Sequence, residues 1–165
     1  MAADSVPKIT ATEYLAMERA PPYESEFLNG EVFAMFGGRP ADAVLIGPMA
    51  RVPGDALEDG PCVVAETELR LQVALAEADV YRDLMVVCGG FALAEGHRDM
   101  ITNPPVVVEV LSESSERWDG DGKFARYQRV ASLHECVLVS TDAVRVEWFT
   151  READGKWTCR KVSLV

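Results

Sequence analysis

Pro105-Val-Val-Val-Glu-Val-Leu111 is a continuous, mostly β-branched run that contains one carboxylate, Glu109. Such a run is typical of a strand that is covered on both faces of a sheet. A carboxylate on a strand of this kind is costly unless it is paired, hydrogen-bonded or bound to a cation. The run therefore predicts a buried strand on which Glu109 has a specific partner.

Two more segments supply side chains with the chemistry of a metal-dependent phosphodiesterase. Asp83 opens a second strand-like stretch, Asp83-Leu-Met-Val-Val-Cys88, and Lys123 opens an amphipathic segment that follows a polar loop. Carboxylates are ligands for hard divalent cations, and a lysine beside them can stabilise developing negative charge. Residue type alone leaves other interpretations open: Asp83 as a turn or cap residue, Glu109 as a buried glutamate satisfied by a nearby arginine or by backbone donors, and Lys123 as a solvated helix residue.

Composition and charge limit the classes of protein to consider. The 165 residues, 48% hydrophobic and 26% charged, predict one globular domain over residues 1–165. A net charge of −11 counts against broad, tight binding to nucleic acid, which needs clustered Lys and Arg. No apolar stretch approaches the ~20 residues of a membrane-spanning helix, and the N-terminus lacks a signal peptide pattern. These two observations predict a cytoplasmic protein that is not associated with a membrane.

The four cysteines lie in apolar, strand-like stretches, and none forms a Cys-x-x-Cys pair. This spacing predicts buried free thiols in a reducing compartment rather than a zinc site.

Local signals predict the order of the elements. Thr10 and Glu13 form a capping box that starts a short helix, and Asn29-Gly30 between apolar runs predicts a β-hairpin that carries Glu26. Pro48 and Pro53 predict a short or broken helix between residues 41 and 59. Strands are predicted at residues 62–65, 67–73, 83–88, 106–111, 135–140, 144–150 and 157–164, with a turn at 74–79 and a loop at 89–104. This order predicts an α/β or α+β fold with a mixed sheet.

Six segments in order resemble the Uma-type family of endonucleases, within the PD-(D/E)XK restriction-endonuclease-like superfamily. They are Glu26-Phe-Leu-Asn-Gly-Glu31, Met35-Phe-Gly-Gly38, Tyr81-Arg-Asp-Leu-Met-Val-Val-Cys-Gly89, Val108-Glu-Val-Leu-Ser-Glu-Ser-Ser115, Lys123-Phe-Ala-Arg-Tyr127 and Ser132-Leu-His-Glu-Cys-Val-Leu-Val139. The resemblance covers nearly the whole chain. It implies a restriction-endonuclease-like mixed β-sheet core flanked by helices, with an N-terminal helix and β-hairpin, and hydrolysis of DNA with Mg²⁺ or Mn²⁺.

The resemblance also implies a catalytic set. Asp83 and Glu109 match the two acidic positions of the motif and would bind the metal ion. Lys123 matches a lysine displaced to the following helix, since the motif's usual lysine position is Leu111 here. Glu26 matches an acidic position that adds to the site. The exposed sheet edges and the tryptophan-bearing C-terminal hairpin predict a homodimer.

Three departures from the family pattern leave an alternative open. Arg82 stands where the motif has proline, which we expect to matter little because that proline has no chemical role. Asp42 stands where relatives have histidine, and Pro48 and Pro53 interrupt a helix. The alternative is a degenerate, non-catalytic relative that acts as a binding or assembly module, and a plain α+β interaction domain is a third hypothesis.

Overall fold

The computed structural model describes residues 8–18, 25–34, 40–66, 69–73, 78–111, 124–141 and 145–163. Lys123, the polar loop at 112–122 and the turn at Asp142 lie outside the described residues. The helices are α1 (Ala11–Glu18) and α2 (Pro40–Leu57). The strands are β1 (Ser25–Leu28), β2 (Glu31–Ala34), β3 (Cys62–Glu66), β4 (Arg70–Val73), β5 (Ala78–Tyr81), β6 (Leu84–Cys88), β7 (Met100–Ile101), β8 (Val106–Leu111), β9 (Glu135–Ser140), β10 (Arg145–Arg151) and β11 (Trp157–Ser163).

Two mixed sheets form the molecule, which confirms the predicted α+β class. The five-stranded sheet has the order β2-β1-β5-β4-β7, and the six-stranded sheet has the order β11-β10-β9-β8-β6-β3. The pairs β8–β9 and β4–β7 are parallel, and the other pairs are antiparallel. Arg82 and Asp83 form the short link between β5 of one sheet and β6 of the other. The chain therefore crosses between the sheets at the predicted site.

The N-terminal elements form as their local signals predict. The Thr10 backbone N–H donates to Glu13 Oε2 at 2.8 Å, and the Glu13 backbone N–H donates to Thr10 Oγ1 at 3.2 Å, which is the reciprocal capping box. Asn29 and Gly30 have φ angles of 49° and 89°, as a type I′ hairpin turn between β1 and β2 requires. These two motifs are short-range, so sequence alone is sufficient to place them.

The prediction of a broken helix between residues 41 and 59 was wrong. Helix α2 runs continuously from Pro40 to Leu57, with Pro48 and Pro53 inside it. Its less exposed positions recur at 46, 49, 50, 53, 54 and 57, which is a helical stripe, and α2 contacts β3 and β8. Tertiary packing of this stripe outweighs the local cost of the prolines.

Two strands lie where the sequence predicted a turn and a loop. Strand β5 begins at Ala78, inside the predicted turn at 74–79, and β7 occupies Met100–Ile101 inside the predicted loop at 89–104. β7 has only two residues, which is too short for an alternation pattern to be recognised, and it exists through parallel pairing with β4.

The prediction of four buried free thiols was wrong for Cys62 and Cys88, which are bonded to each other, and for Cys159, which is exposed. Cys62 and Cys88 form a disulfide between β3 and β6, where the antiparallel register places them opposite each other. Cys136 is free and buried, whereas Cys159 is free and exposed. The pairing depends on strand register, which cysteine spacing along the chain does not reveal.

Strand β8 has one fully buried face, and Glu109 lies on it. Val107, Glu109 and Leu111 are buried, whereas the intervening positions are only half-buried. Leu71 of the five-stranded sheet and Leu138 of the six-stranded sheet belong to the same core cluster as Val107. Glu109 therefore lies on the same buried face of β8 as two core residues, where its charge needs a partner.

Candidate functional site

The structure brings Asp83 and Glu109 to neighbouring positions. Strands β6 and β8 pair antiparallel with Leu84 opposite Val108, so Asp83, which directly precedes β6, lies beside Glu109. The Val110 backbone N–H donates to Asp83 Oδ2 at 2.7 Å. This hydrogen bond holds the half-buried Asp83 carboxylate next to the residue that follows Glu109.

Arg82 lies at the centre of the buried charges. Its guanidinium Nη1 donates to Glu109 Oε1, and its Nη2 lies 3.8 Å from Glu26 Oε1. Its side chain is 1% exposed, and that of Glu109 is 4% exposed. We call Arg82, Glu109, Glu26 and Tyr127 the Arg82 cluster.

Tyr127 completes the cluster from the helical turn at residues 124–127. Its hydroxyl donates to Glu109 Oε1, the same oxygen that accepts from Arg82. The Arg82 guanidinium carbon lies 4.6 Å from the centre of the Tyr127 ring, within range of a cation–π interaction. One carboxylate oxygen of Glu109 thus has two donors, and one ring covers the cation.

The electrostatics keep Arg82 charged and Tyr127 protonated. Burial by itself disfavours the charged guanidinium, but the charge of Glu109 and the nearby Tyr127 and Glu26 outweigh it and raise the pKa of Arg82. Burial raises the pKa of the Tyr127 hydroxyl well above its usual range, so this group remains a hydrogen-bond donor. The cluster is a desolvated ion pair with a neutral donor beside it.

Asp83 and Glu109 fit a divalent ion in the chemistry of their donors and in their neighbouring positions beside the paired strands β6 and β8. Mg²⁺ takes oxygen ligands, often only one or two carboxylates completed by water. Among the described residues, however, no three His, Cys, Asp or Glu side chains group closely enough to hold a metal ion. Because Glu109 Oε1 accepts from both Arg82 and Tyr127, an ion bound there would compete with a guanidinium.

Of the other two predicted site residues, the structure describes Glu26 but not Lys123. Glu26, on β1, reaches the cluster through Arg82 and is 14% exposed at its side chain. Lys123 is outside the described residues, although Tyr127, four residues later, contacts Glu109. The roles of Asp83, Glu109, Glu26 and Lys123 in catalysis or metal binding stay predictions.

Sequence reasoning left an arginine partner of Glu109 open but did not identify Arg82, and it missed Tyr127 as a member of the site. The prediction that the change from proline to Arg82 matters little was wrong, because this side chain neutralises Glu109. A signal was present, because a buried carboxylate needs a cation and Arg82 adjoins Asp83 in sequence. Tyr127 carried no such signal, since an aromatic residue at helical spacing is ordinarily part of a core.

Comparisons with known proteins agree with this fold. Residues 11–164 match the family model Uma2, described as "Putative restriction endonuclease". The chain is also 30% identical over 151 residues to "Uncharacterized protein slr1290" of Synechocystis sp. (strain ATCC 27184 / PCC 6803 / Kazusa), covering 92% of this chain and 78% of that protein. It is 29% identical over 149 residues to "Uncharacterized protein sll1609" of the same organism, covering 90% and 84%.

A solved structure shares the architecture. It is the crystal structure of a "putative nuclease belonging to DUF820 from Anabaena variabilis ATCC 29413", which matches with a TM-score of 0.76 and 13% identity and covers 94% of this chain and 85% of that one. The fold is thus that of a restriction-endonuclease-like protein. The chain belongs to the Uma2 family. Within the described residues, no helix is long and apolar enough to cross a membrane.

Proposed function

We propose that this chain hydrolyses DNA phosphodiester bonds with Mg²⁺ or Mn²⁺ at a site built on Asp83 and Glu109. The observation that carries the proposal is the neighbouring position of Asp83, just before β6, and Glu109, on β8, in a member of a family described as "Putative restriction endonuclease". Two carboxylates held by paired strands and the link beside them supply oxygen donors from a rigid framework.

Each residue has a separate task in this proposal. Asp83 and Glu109 would hold the divalent ion, which would supply polarisation of a phosphoryl oxygen and a lowered pKa for a water molecule. The backbone N–H of Val110 orients the Asp83 carboxylate. Lys123 stabilises the negative charge that develops on the phosphate, and Glu26 adds negative charge beside Arg82.

A nicking assay on supercoiled DNA tests the proposal. Wild type is expected to convert the plasmid in Mg²⁺ or Mn²⁺ and to be inactive in EDTA, whereas Asp83→Asn and Glu109→Gln lose at least about 100-fold in rate. Asp99→Asn is the matched control, because Asp99 pairs with Arg70 in the five-stranded sheet. Nicking that survives Glu109→Gln would contradict the proposal.

The same proposal takes DNA as the substrate and a homodimer as the oligomeric state. Two sites would allow both strands to be cut, and the exposed Trp148 and Val162 on β10 and β11 offer apolar surface for a second copy. The mass from light scattering should be twice that of the 18.1 kDa chain and should fall for Trp148→Glu. A wild-type monomer at micromolar concentration would contradict the dimer.

A second candidate function is a non-catalytic binding or assembly module. The observation that favours it is the Arg82–Glu109 ion pair, which engages a proposed metal ligand with a cation of the chain itself. The net charge of −11 also opposes tight DNA binding. Folded wild type that neither binds Mn²⁺ nor nicks DNA would favour this module.

A further inference from the structure

We propose that Arg82 is an internal counter-ion that competes with a divalent cation for Glu109 and thereby weakens metal binding at the site. The inference rests on the proposed function, since it concerns the same two carboxylates. It assigns to Arg82 a positioning role. Its 1% exposed side chain lies too deep to contact a DNA substrate, so it acts through Glu109.

The geometry of Arg82 suits this role. A guanidinium is planar and forked, so one side chain can face two carboxylates. Here one nitrogen donates to Glu109 and the other lies 3.8 Å from Glu26, while the Tyr127 ring covers the cation. The cluster is therefore neutralised in part without any metal ion.

Because of their charge and the limited space, the Arg82 guanidinium and a divalent ion are alternative partners of Glu109. Glu109 in the core needs a positive partner, because an unpaired buried charge is strongly destabilising. Either a guanidinium or a divalent ion meets that need, but the two repel each other at contact distance in a low-dielectric core. A metal ion that binds Glu109 at Oε1 displaces Arg82 from that oxygen, and the free energy of breaking the ion pair is subtracted from metal affinity.

A matched arginine is available as a control. Arg70 is also buried and ion-paired, with its Nη2 2.6 Å from Asp99 Oδ2, but it lies on β4 in the five-stranded sheet. Removing Arg70 tests whether loss of any buried arginine alters metal binding. Only the loss of Arg82 should do so.

The test is isothermal titration of Mn²⁺ and Mg²⁺ into wild type, Arg82→Ala, Arg82→Lys and Arg70→Ala, with thermal unfolding in EDTA and in metal. Arg82→Ala should bind Mn²⁺ about tenfold more tightly than wild type, or better. Arg82→Lys should lie between them, since its compact ammonium cannot face both carboxylates. Arg70→Ala should match wild type.

Stability provides a readout that does not depend on catalysis. Arg82→Ala should melt well below wild type in EDTA and recover a large part of the loss in Mn²⁺, because the ion replaces the missing cation. Arg70→Ala should show no such recovery. If Arg82→Ala fails to fold in EDTA, Arg82→Lys carries the test, with tighter Mn²⁺ binding than wild type expected.

The outcomes separate this inference from the proposed function. Equal Mn²⁺ affinity for wild type and the Arg82 variants overturns the inference, and if wild type also nicks DNA the proposed function stands. Tighter binding by the Arg82 variants without any nicking supports the inference and overturns the proposed function. No Mn²⁺ binding by wild type or by either Arg82 variant overturns both.

Discussion

Arg82 and Arg70 are both buried arginines paired with a carboxylate, but their partners differ in exposure. The Arg70 partner, Asp99, is 47% exposed at its side chain, whereas the Arg82 partner, Glu109, is only 4% exposed. Asp99 can be hydrated if its arginine is removed, but Glu109 cannot without disturbing the core. The two pairs therefore look alike as contacts, yet they differ in whether the partner carboxylate can be hydrated once its arginine is removed.

The largest expected effect separates the two arginines by stability. Arg82→Ala should lower the free energy of unfolding by about 4 kcal/mol, because it leaves Glu109 charged and buried. Arg70→Ala should cost about 1 kcal/mol, since Asp99 regains water. Urea denaturation in EDTA measures both. Equal losses would remove the distinction between the two pairs.

The disulfide between β3 and β6 provides the next test, because β6 leads directly from the link that carries Arg82. Cys62 and Cys88 are 26 residues apart, and closing a loop of this size contributes about 3 kcal/mol through the unfolded chain. Dithiothreitol should therefore lower the free energy of unfolding of wild type by about that amount. The double variant Cys62→Ser/Cys88→Ser should not respond to dithiothreitol, and a response there would contradict this account.

Two tyrosines sharpen the comparison at the level of one hydroxyl group. Tyr127 donates to the Glu109 carboxylate, whereas Tyr14 donates to the backbone oxygen of Ser25 in the five-stranded sheet. Hydrogen bonds to charged groups are stronger, so Tyr127→Phe should cost about 2 kcal/mol and Tyr14→Phe about 1 kcal/mol. Thermal or urea unfolding of the two variants decides this, and a larger loss for Tyr14→Phe would reverse the expected order.

The smallest effect concerns Asp79, a buried carboxyl on β5 in the sheet of Arg70. Burial raises the pKa of Asp79, and Arg70 and His97 counter this only in part. Because the pKa of Asp79 is raised, the native state binds the proton more tightly than the unfolded state does, and this proton binding stabilises the fold at low pH. The stabilisation is lost as the pH rises from the ordinary pKa of aspartate through the raised pKa of Asp79.

Asp79→Asn should therefore be slightly more stable than wild type at pH 7. The gain should disappear below pH ~3.9, where both states of the wild type are protonated. Unfolding free energies measured across this pH range test the sign. A variant that is less stable than wild type at pH 7 would show that Arg70 stabilises charged Asp79 more than burial disfavours it.

Sequence reasoning predicted elements whose signals are local. The capping box at Thr10, the Asn29-Gly30 turn and the Val106–Leu111 strand each depend on a few neighbouring residues, and all three form. The neighbouring positions of Asp83 and Glu109 were also expected, because each residue belongs to a strand-like stretch. Only the family resemblance singled out this pair, because residue types alone left several alternatives open.

What sequence reasoning did not predict depends on contacts between distant segments. The continuity of α2 through Pro48 is stabilised by packing on β3 and β8, and the Cys62–Cys88 disulfide depends on strand register. The partnership of Arg82 with Glu109 joins a link between sheets to the middle of β8. Each of these requires knowing which strands pair before the side chains can be assigned to each other.

Anomalous diffraction from crystals soaked in Mn²⁺ tests the central claim most directly, with wild type and Arg82→Lys compared under the same conditions. The account predicts an anomalous peak within coordination distance of Asp83 and Glu109, stronger in Arg82→Lys, and a wild-type guanidinium withdrawn from Glu109 wherever the ion is bound. A peak that is absent from this position in both proteins, or an ion bound to Glu109 while Arg82 keeps its contact, would contradict the account.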